Sequence, residues 1–205
     1  MEILSRAFGE YATNCYIVKN NEKSLIIDPG MGASHWVKQN AVGAVAVLLT
    51  HGHFDHVYDA DVLRRELGVP IYLPKADEVF TASDPFAILR DSFDADFLVS
   101  PNESVDISGF KATFHHFAGH TPGCSCIELE GLENTWFCGD FIFKGSVGRW
   151  DFEFSNAKDM QESLRRVLEI KQNIKLYCGH GEPTSLDDER ANIAHMLNMR
   201  LWQEY

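Results

Sequence analysis

The stretch Ala44-Val-Ala-Val-Leu-Leu49 leads directly into Thr50-His51-Gly52-His53-Phe54-Asp55-His56. Its first six residues form an uninterrupted apolar run, which is typical of a strand buried on both faces of a sheet. Residues 57–67 have helical periodicity and end at Gly68, and residues 70–73 form another short apolar run. A strand, a polar loop, a helix and a second strand in this order predict a layered α/β fold.

Strand patterns followed by a helix pattern occur in both halves of the chain. Strands are predicted at residues 3–8, 15–18, 25–27, 110–117, 124–129, 135–138 and 174–178. Helices are predicted at residues 34–39 and around the apolar spacing of Met160, Leu164, Val167 and Leu168. No linker separates the halves, so we expect one domain over residues 1–205 that contains two similar halves.

Two segments complete this outline. Residues 75–102 predict a short helix within a long surface loop, because turn-forming residues interrupt them. A last helix is predicted to begin near Ser185, whose hydroxyl can cap it together with Asp188. Its expected apolar face consists of Ile193, Met196, Leu197 and Leu201.

Composition and charge narrow the classes of function. The chain has 205 residues, of which 45% are apolar and 23% charged, and this composition is typical of a globular protein rather than a disordered one. The formal net charge is −12. A field of this sign repels phosphate backbones, so we expect a small-molecule substrate and no nucleic-acid partner.

The compartment is predicted from the N-terminus and the cysteines. Met1-Glu-Ile-Leu-Ser-Arg-Ala-Phe8 is not a basic start followed by a long apolar stretch, so no secretory signal is expected. The apolar run that ends at Leu49 is too short to span a bilayer, so no membrane partner is expected. An odd number of cysteines, five, indicates reduced thiols and a cytoplasmic protein. Cys124 and Cys126 lie two apart on a predicted strand, and we expect them in the core.

The segment His51-x-His53-x-Asp55-His56 carries the predicted chemistry. Zinc prefers imidazole nitrogen and carboxylate oxygen, and a short loop that leaves a buried strand can direct several such groups to one point. Further candidates follow predicted strands and stand beside glycines or turns: His120, Asp140 and His180. Together these seven side chains are enough for two metal ions.

With these motifs the chain resembles hydrolases of the metallo-β-lactamase fold, and it is most similar to their glyoxalase II branch in the short bacterial form that lacks a C-terminal helical domain. The resemblance extends from Asn14-Cys-Tyr-Ile-Val18 and Asp28-Pro-Gly30 to His180. It implies an αββα sandwich of α/β (α+β) class, in which two mixed β-sheets lie face to face and helices flank them.

The resemblance also implies a set of metal ligands. His51, His53 and His120 would hold a first metal, and Asp55, His56 and His180 a second. Asp140 would bridge the two. Because no ligand of the family's set is missing, we expect a catalytic protein. The cofactors are expected to be two divalent metal ions, most readily zinc, although iron and manganese accept the same ligands.

The predicted reaction is hydrolysis of a small thioester, as in hydroxyacylglutathione hydrolases. Two divalent ions about 3.5–4 Å apart lower the pKa of a bridging water toward 7, and the bridging hydroxide would attack the carbonyl. Asp55 is the predicted catalytic residue, which would orient the hydroxide and accept its proton. A thiolate leaves easily, since a free thiol has a pKa near 8.5, so little help from a general acid is needed.

Arg149 is predicted to bind a substrate carboxylate, because Gly139–Arg149 resembles the family segment in which a basic residue faces the substrate. The alternative is a surface arginine paired with Asp151. Three departures from the family pattern surround the site: Tyr58-Asp59, Phe117-Ala-Gly-His120 and Trp150-Asp-Phe-Glu-Phe154. Two of them add aromatic bulk, which favours a substrate other than a glutathione thioester.

The remaining histidines are predicted to be structural. His116 matches a histidine often present in the family, and we favour support of the site or packing over metal ligation. His115 is expected on the opposite strand face, and His35 and His195 on helices.

Three other functions stay open at this point. Persulfide dioxygenases share the fold and the histidine motif but use one iron held by two histidines and one aspartate. Another small-molecule metallo-hydrolase of the same fold is the second alternative, and a non-enzymatic metal-binding module is the third. A secreted β-lactamase or a nuclease is disfavoured, because neither a secretory signal nor an added domain is expected from the sequence.

Overall fold

The computed structural model describes residues 1–199 and Trp202. Six strands in the N-terminal half are β1 (Glu2–Phe8), β2 (Thr13–Asn20), β3 (Lys23–Ile27), β4 (Ala44–Leu48), β5 (Ile71–Pro74) and β6 (Phe97–Val99). They form one sheet in sequence order. β1, β2 and β3 pair antiparallel, and β3 to β6 pair parallel, so the sheet is mixed.

The C-terminal half contributes β7 (Ser104–Ile107), β8 (Phe110–His116), β9 (Ser125–Leu129), β10 (Thr135–Gly139), β11 (Ile142–Phe143), β12 (Ser146–Val147), β13 (Lys175–Cys178) and β14 (Thr184–Ser185). The second sheet has the order β14-β13-β10-β9-β8-β7, and β11 and β12 form a separate two-stranded ribbon. Only β10 and β13 pair parallel in the second sheet as described, so this sheet is also mixed.

Helices cover the outer face of each sheet. They are α1 (Ser34–Asn40), α2 (Phe54–Val57), α3 (Ala60–Leu67), α4 (Glu78–Ala82), α5 (Ala157–Glu169) and α6 (Leu186–Leu197). The helices α1 and α3 pack on the first sheet through one apolar cluster, and α5 and α6 pack on the second through another. A third cluster joins the two sheets. The predicted αββα sandwich is therefore confirmed.

Alternation along β2 explains why its apolar run is continuous. Cys15 and Ile17 belong to the cluster under the helices, whereas Tyr16 and Val18 belong to the cluster between the sheets. All four are buried. Since successive side chains of a strand point to opposite faces, a sheet covered on both faces requires apolar residues at every position.

Several predicted elements are confirmed and others need correction. Ser185 caps α6 by accepting a hydrogen bond from the Asp188 amide, as predicted, while Leu201 lies outside the described residues. The predicted helix over residues 57–67 begins later, at Ala60 as α3, and the separate short helix α2 ends at Val57. The Asp59 carboxylate accepts hydrogen bonds from the amides of Gly32 and Ser34, so a contact with a distant loop fixes the break. Within residues 75–102, β6 is a strand that the sequence did not predict.

The five cysteines are buried and unpaired, and the prediction that Cys124 and Cys126 lie in the core is confirmed. In the described part of the chain no helix combines the length and apolar character needed to cross a membrane.

Candidate metal centre

The candidate site lies where several strands end at the same edge. The parallel strands β3, β4 and β5 are followed by Asp28, by the loop that contains His51 and by Asp77. In the second sheet, Asp140 follows β10 and His180 follows the parallel strand β13. Because carboxyl ends of parallel strands meet at one edge, residues distant in sequence come together there.

Three imidazoles form one half of the cluster. One ring nitrogen from each of His51, His53 and His120 lies within 4.8 Å of the others. His53 Nδ1 is 2.8 Å from His120 Nε2, and the ring of His51 packs edge-on against both rings. These are the three residues that the resemblance assigned to a first metal.

The other half consists of Asp55, His56 and His180, whose candidate ligand atoms also lie within 4.8 Å of one another. Asp55 Oδ2 is 3.4 Å from Nε2 of both His56 and His180. Asp140 lies between the halves: its Oδ1 is 3.2 Å from His56 Nε2, and its Oδ2 is 3.3 Å from His180 Nε2 and 3.4 Å from His120 Nε2. The structure thus brings together all seven side chains singled out in the sequence.

Hydrogen bonds orient four of the histidine rings in the same way. Nδ1 of His120 donates to the Arg149 carbonyl at 2.8 Å, and Nδ1 of His180 donates to the Tyr11 carbonyl at 2.9 Å. A carbonyl or carboxylate can only accept, so each Nδ1 carries the hydrogen and each Nε2 is directed into the cluster.

His56 and His51 follow the same rule through Asp28. His56 Nδ1 donates to Asp28 Oδ2 at 3.0 Å, and Thr50 Oγ1 donates to the same oxygen at 2.6 Å. With its hydrogen given to Asp28, Thr50 Oγ1 accepts from His51 Nδ1 at 3.1 Å. Asp28 also accepts from the Thr50 amide through Oδ1. Although Asp28, His51 and His56 lie close enough to hold an ion, both Asp28 oxygens are already engaged.

Buried polar atoms in the cluster lack hydrogen-bond partners. They are His51 Nε2, His56 Nε2 and Asp140 Oδ1. An unsatisfied buried polar atom costs about 1–3 kcal/mol, so three at one point need an explanation. Nitrogen and carboxylate oxygen atoms that converge in this way are the donors that divalent transition metals prefer, and the residues fit such ions.

The electrostatics of the cluster also favour a cation. Burial alone would lower the pKa of His180, but hydrogen bonds to Asp140 and Asp55 raise it to about 9. The same carboxylates hold the pKa of His56 well above its usual value against the effect of burial. Burial and the neighbouring His120 instead lower the pKa of His53 to about 3. Thus His53 stays neutral and ready to ligate, while the carboxylate side of the cluster attracts positive charge.

Asp77 is a buried carboxylate near the site, like Asp28, and sequence reasoning missed it. Its oxygens accept hydrogen bonds from the amides of Gly52 and Gly123 and from the Thr121 hydroxyl. It therefore ties the loop of the histidine motif to the loop that carries His120. Burial outweighs these hydrogen bonds and raises the pKa of Asp77 to about 6.

A cavity of about 520 Å³ opens beside the cluster and is lined in part by Asp55, Asp140 and His180. Its other walls are largely aromatic and aliphatic side chains. A volume of this size is typical of pockets for small organic ligands.

Arg149 lines this cavity, but its guanidinium is paired. Its Nε and Nη2 donate to the two oxygens of Asp151, each at 2.8 Å, and it stacks over the Phe152 ring at 4.2 Å. The pairing with Asp151 was the alternative considered for this residue, and binding of a substrate carboxylate stays a prediction. Lys144 pairs in a similar way with Glu182.

The remaining histidines lie apart from the ligand cluster. His116 Nε2 hydrogen-bonds the Pro122 carbonyl in the loop beside His120. His115 bonds Glu128 and stacks on Trp136. His35 is an exposed residue of α1.

Comparison with known proteins defines the class. The sequence profile described as the metallo-beta-lactamase superfamily matches residues 8–180. The chain is 30% identical over 198 residues to the hydroxyacylglutathione hydrolase GloC of Haemophilus influenzae, which covers 88% of this chain and 91% of that protein. The chain therefore belongs to the metallo-beta-lactamase superfamily, whose members are mostly metal-dependent hydrolases.

Solved structures agree with this assignment. The BLEG-1 B3 metallo-beta-lactamase superposes with a TM-score of 0.83 at 27% identity, over 93% of this chain and 97% of that one. TTHA1623 in a di-iron-bound form superposes with a TM-score of 0.77 at 29% identity, over 91% of this chain and 96% of that one.

Proposed function

We propose that the protein is a binuclear metal-dependent hydrolase of a small thioester. The observation that carries the proposal is that buried atoms of His51, His56 and Asp140, which have no hydrogen-bond partner, converge in one cluster. This cluster opens on a cavity of the size of a small ligand. The relative in Haemophilus influenzae that is named a hydroxyacylglutathione hydrolase supports this class of substrate.

Seven side chains would hold the metals. We assign His51, His53 and His120 to one ion and Asp55, His56 and His180 to the other, with Asp140 shared, because each of the first two sets is a tight group of candidate ligand atoms. The di-iron form of TTHA1623 supports two ions per site. Zinc is the proposed metal, and iron and manganese suit the same donors.

When bound, such ions polarise a carbonyl oxygen and lower the pKa of water, so that water becomes a nucleophile near neutral pH. Asp55 is the proposed catalytic residue, which orients the attacking water and accepts its proton at a carboxylate oxygen. The Thr13 hydroxyl donates to Asp55 Oδ2 at 2.8 Å and holds that carboxylate in place. Burial alone would raise the pKa of Asp55, but His56 and the hydrogen bonds from His180 and Thr13 lower it to about 2, so Asp55 is ionised.

Thioesters suit this arrangement because a thiolate leaves without protonation. The aromatic rings of Phe152 and Phe143 pack near the histidines, with ring centres 6.0 Å from His53 and 5.8 Å from His180. Both rings line the cavity beside the proposed ligands. The size of the cavity further supports a small-molecule substrate.

The test combines elemental analysis of the purified protein with a screen of S-acyl compounds. We expect about two metal ions per chain and metal-dependent hydrolysis of at least one thioester. His53→Ala should abolish turnover and reduce the metal content, whereas His35→Ala, a histidine on the exposed face of α1, should leave both unchanged.

Two results would contradict the proposal. One is a protein that holds at most one metal and hydrolyses no S-acyl compound. The other is a mononuclear iron protein that consumes oxygen with glutathione persulfide, which would identify the dioxygenase alternative.

A further inference from the structure

The cavity beside the histidine–aspartate cluster has a chemistry that limits its substrate. We propose that it selects thioesters that bear an uncharged aromatic or branched apolar group. It discriminates against thioesters whose thiol part carries carboxylates, as glutathione does. This inference rests on the proposed thioester hydrolysis and names the substrate class within it.

The walls of the cavity are mostly apolar. They include the side chains of Tyr11, Phe54, Phe86, Ile88, Phe143 and Phe152. Tyr11 is 61% exposed, Phe152 41% and Ile88 40%, although such side chains are usually buried. Exposed apolar groups that gather around a concave site mark a surface that binds an apolar ligand.

Local contacts hold the segment that carries Phe86 and Ile88. The Asp84 carboxylate accepts hydrogen bonds from the amides of Ile88 and Leu89, and Phe93 is buried in the cluster under the first sheet. The two exposed side chains are thus held at the cavity by an ordered loop, and this supports a built binding wall.

A strained residue packs behind the wall, against the lining residue Phe86. Phe154 has a φ of +69°, in the left-handed region where a residue with a Cβ atom is strained. Its ring packs edge-on against Phe80 at 5.3 Å and contacts Phe86 at 6.1 Å. Backbone strain of this kind persists where the surrounding contacts compensate for it, often at ligand sites.

Charge around the cavity disfavours an anionic ligand. Arg149 is the one lysine or arginine among the lining residues that the structure describes, and it is already bound by both oxygens of Asp151. Glu153 also lines the cavity. Glutathione brings two carboxylates, and among the described side chains that line the cavity the only lysine or arginine that could bind them is Arg149, which is already paired with Asp151. A charge without a partner in an apolar pocket is costly.

The test measures binding of inert thioethers to the protein as purified with its metals, by calorimetry. The probes are N-acetyl-S-benzylcysteamine, which is neutral and aromatic, and S-methylglutathione, which carries the carboxylates. We expect the benzyl compound to bind about tenfold more tightly or better, since a buried ring contributes that much. The double variant Phe86→Ala, Ile88→Ala should weaken the benzyl compound about fivefold or more.

Matched variants make the result specific. Phe97→Ala removes a half-exposed phenylalanine that stacks on Tyr72 and does not line the cavity, so it should change neither affinity. Asp151→Ala removes the carboxylate that pairs with Arg149 and should strengthen S-methylglutathione binding. Glu66→Ala removes an equal charge that pairs with Lys38 and should have no such effect.

Several outcomes would overturn the inference. They are S-methylglutathione binding as tightly as the benzyl compound, no binding of the benzyl compound, or an unchanged benzyl affinity in the double variant. These are binding results, and the proposed hydrolysis is tested separately by turnover. A protein that hydrolyses glutathione thioesters and prefers S-methylglutathione would retain the proposed function and lose the inference.

Discussion

The carboxylate of Asp28 and the imidazole of His56 are joined by a buried hydrogen bond of 3.0 Å between Oδ2 and Nδ1. The same Asp28 oxygen accepts the Thr50 hydroxyl, which in turn accepts from His51 Nδ1. One carboxylate outside the ligand set therefore fixes the orientation of two candidate ligands, one in each half of the cluster.

Asp28→Asn should weaken metal binding without a change in side-chain size. An amide nitrogen in place of Oδ2 would face two donors, Thr50 Oγ1 and His56 Nδ1–H. His56 then moves its hydrogen to Nε2, and the nitrogen that faces Asp140 is no longer free to ligate. Loss of such a supporting contact lowers metal affinity about 10- to 100-fold, which chelator competition and elemental analysis would measure.

The control for this change is Asp59→Asn, because Asp59 is also buried but its carboxylate accepts only from the backbone amides of Gly32 and Ser34 in the described contacts. It should reduce stability and leave metal affinity near that of the unmodified protein. If Asp28→Asn keeps both metals at full affinity, the orienting role of Asp28 is wrong.

Thr13 gives a second prediction, on turnover rather than metal content. Its hydroxyl is the donor to Asp55 Oδ2, and a hydrogen bond to a charged group is worth about 1.5–3 kcal/mol. Thr13→Val keeps the shape and removes the donor, so kcat should fall about tenfold or more while the metal content stays near two per chain. Thr13→Ser should restore most of the rate, and equal rates for Val and Ser would count against a positioning role.

Much of the fold could be predicted from the sequence because the sandwich buries both faces of each sheet. The continuous apolar run into β4 and the spacing of Met160, Leu164 and Val167 follow directly from that burial. The short strands β6, β11, β12 and β14 have two or three residues each. Such strands are defined by their pairing partners and leave no periodicity in the sequence.

The candidate ligands could be predicted for a similar reason: three histidines and an aspartate within six residues form a local pattern. The residues that support them could not. Asp28 lies in Asp28-Pro-Gly30, which by itself indicates a turn, and its role depends on Thr50 and His56, more than twenty residues away. Asp77 has no local signal, because its partners come from two distant loops.

Asp77 leads to a prediction on the pH dependence of stability. Its pKa is about 6 in the folded protein because of burial and near 3.9 in an unfolded chain. The folded state therefore binds the Asp77 proton more tightly than the unfolded chain does. The contribution of this proton to the free energy of unfolding is complete below about pH 4 and is lost as the pH rises through about 6. The stability of the unmodified protein relative to Asp77→Asn should fall by about 2–3 kcal/mol over this range.

Urea unfolding of both proteins at pH 4, 5, 6 and 7, in the same metal state, would measure this difference. Titrations of the shared groups cancel when the two curves are subtracted. A difference in unfolding free energy that stays constant with pH would show that Asp77 keeps an ordinary pKa in the fold.

Gly179 leads to the last prediction, on how closely the backbone must approach the cluster. A Cβ atom at this position would lie 2.1 Å from Asp140 Oδ1 and 2.7 Å from His56 Cε1. Gly179→Ala must therefore push apart two of the proposed ligands, and we expect metal affinity to fall about 100-fold. Gly181→Ala is the matched control: its φ of +72° makes alanine strained by about 1–2 kcal/mol, but no heavy atom outside its chain neighbours lies within 4 Å of the new Cβ. It should lower stability and keep both metals, so the pair separates backbone strain from displacement of the ligands. A folded Gly179→Ala protein that retains two metals at full affinity would mean that Asp140 and His56 need not lie this close to the Gly179 backbone.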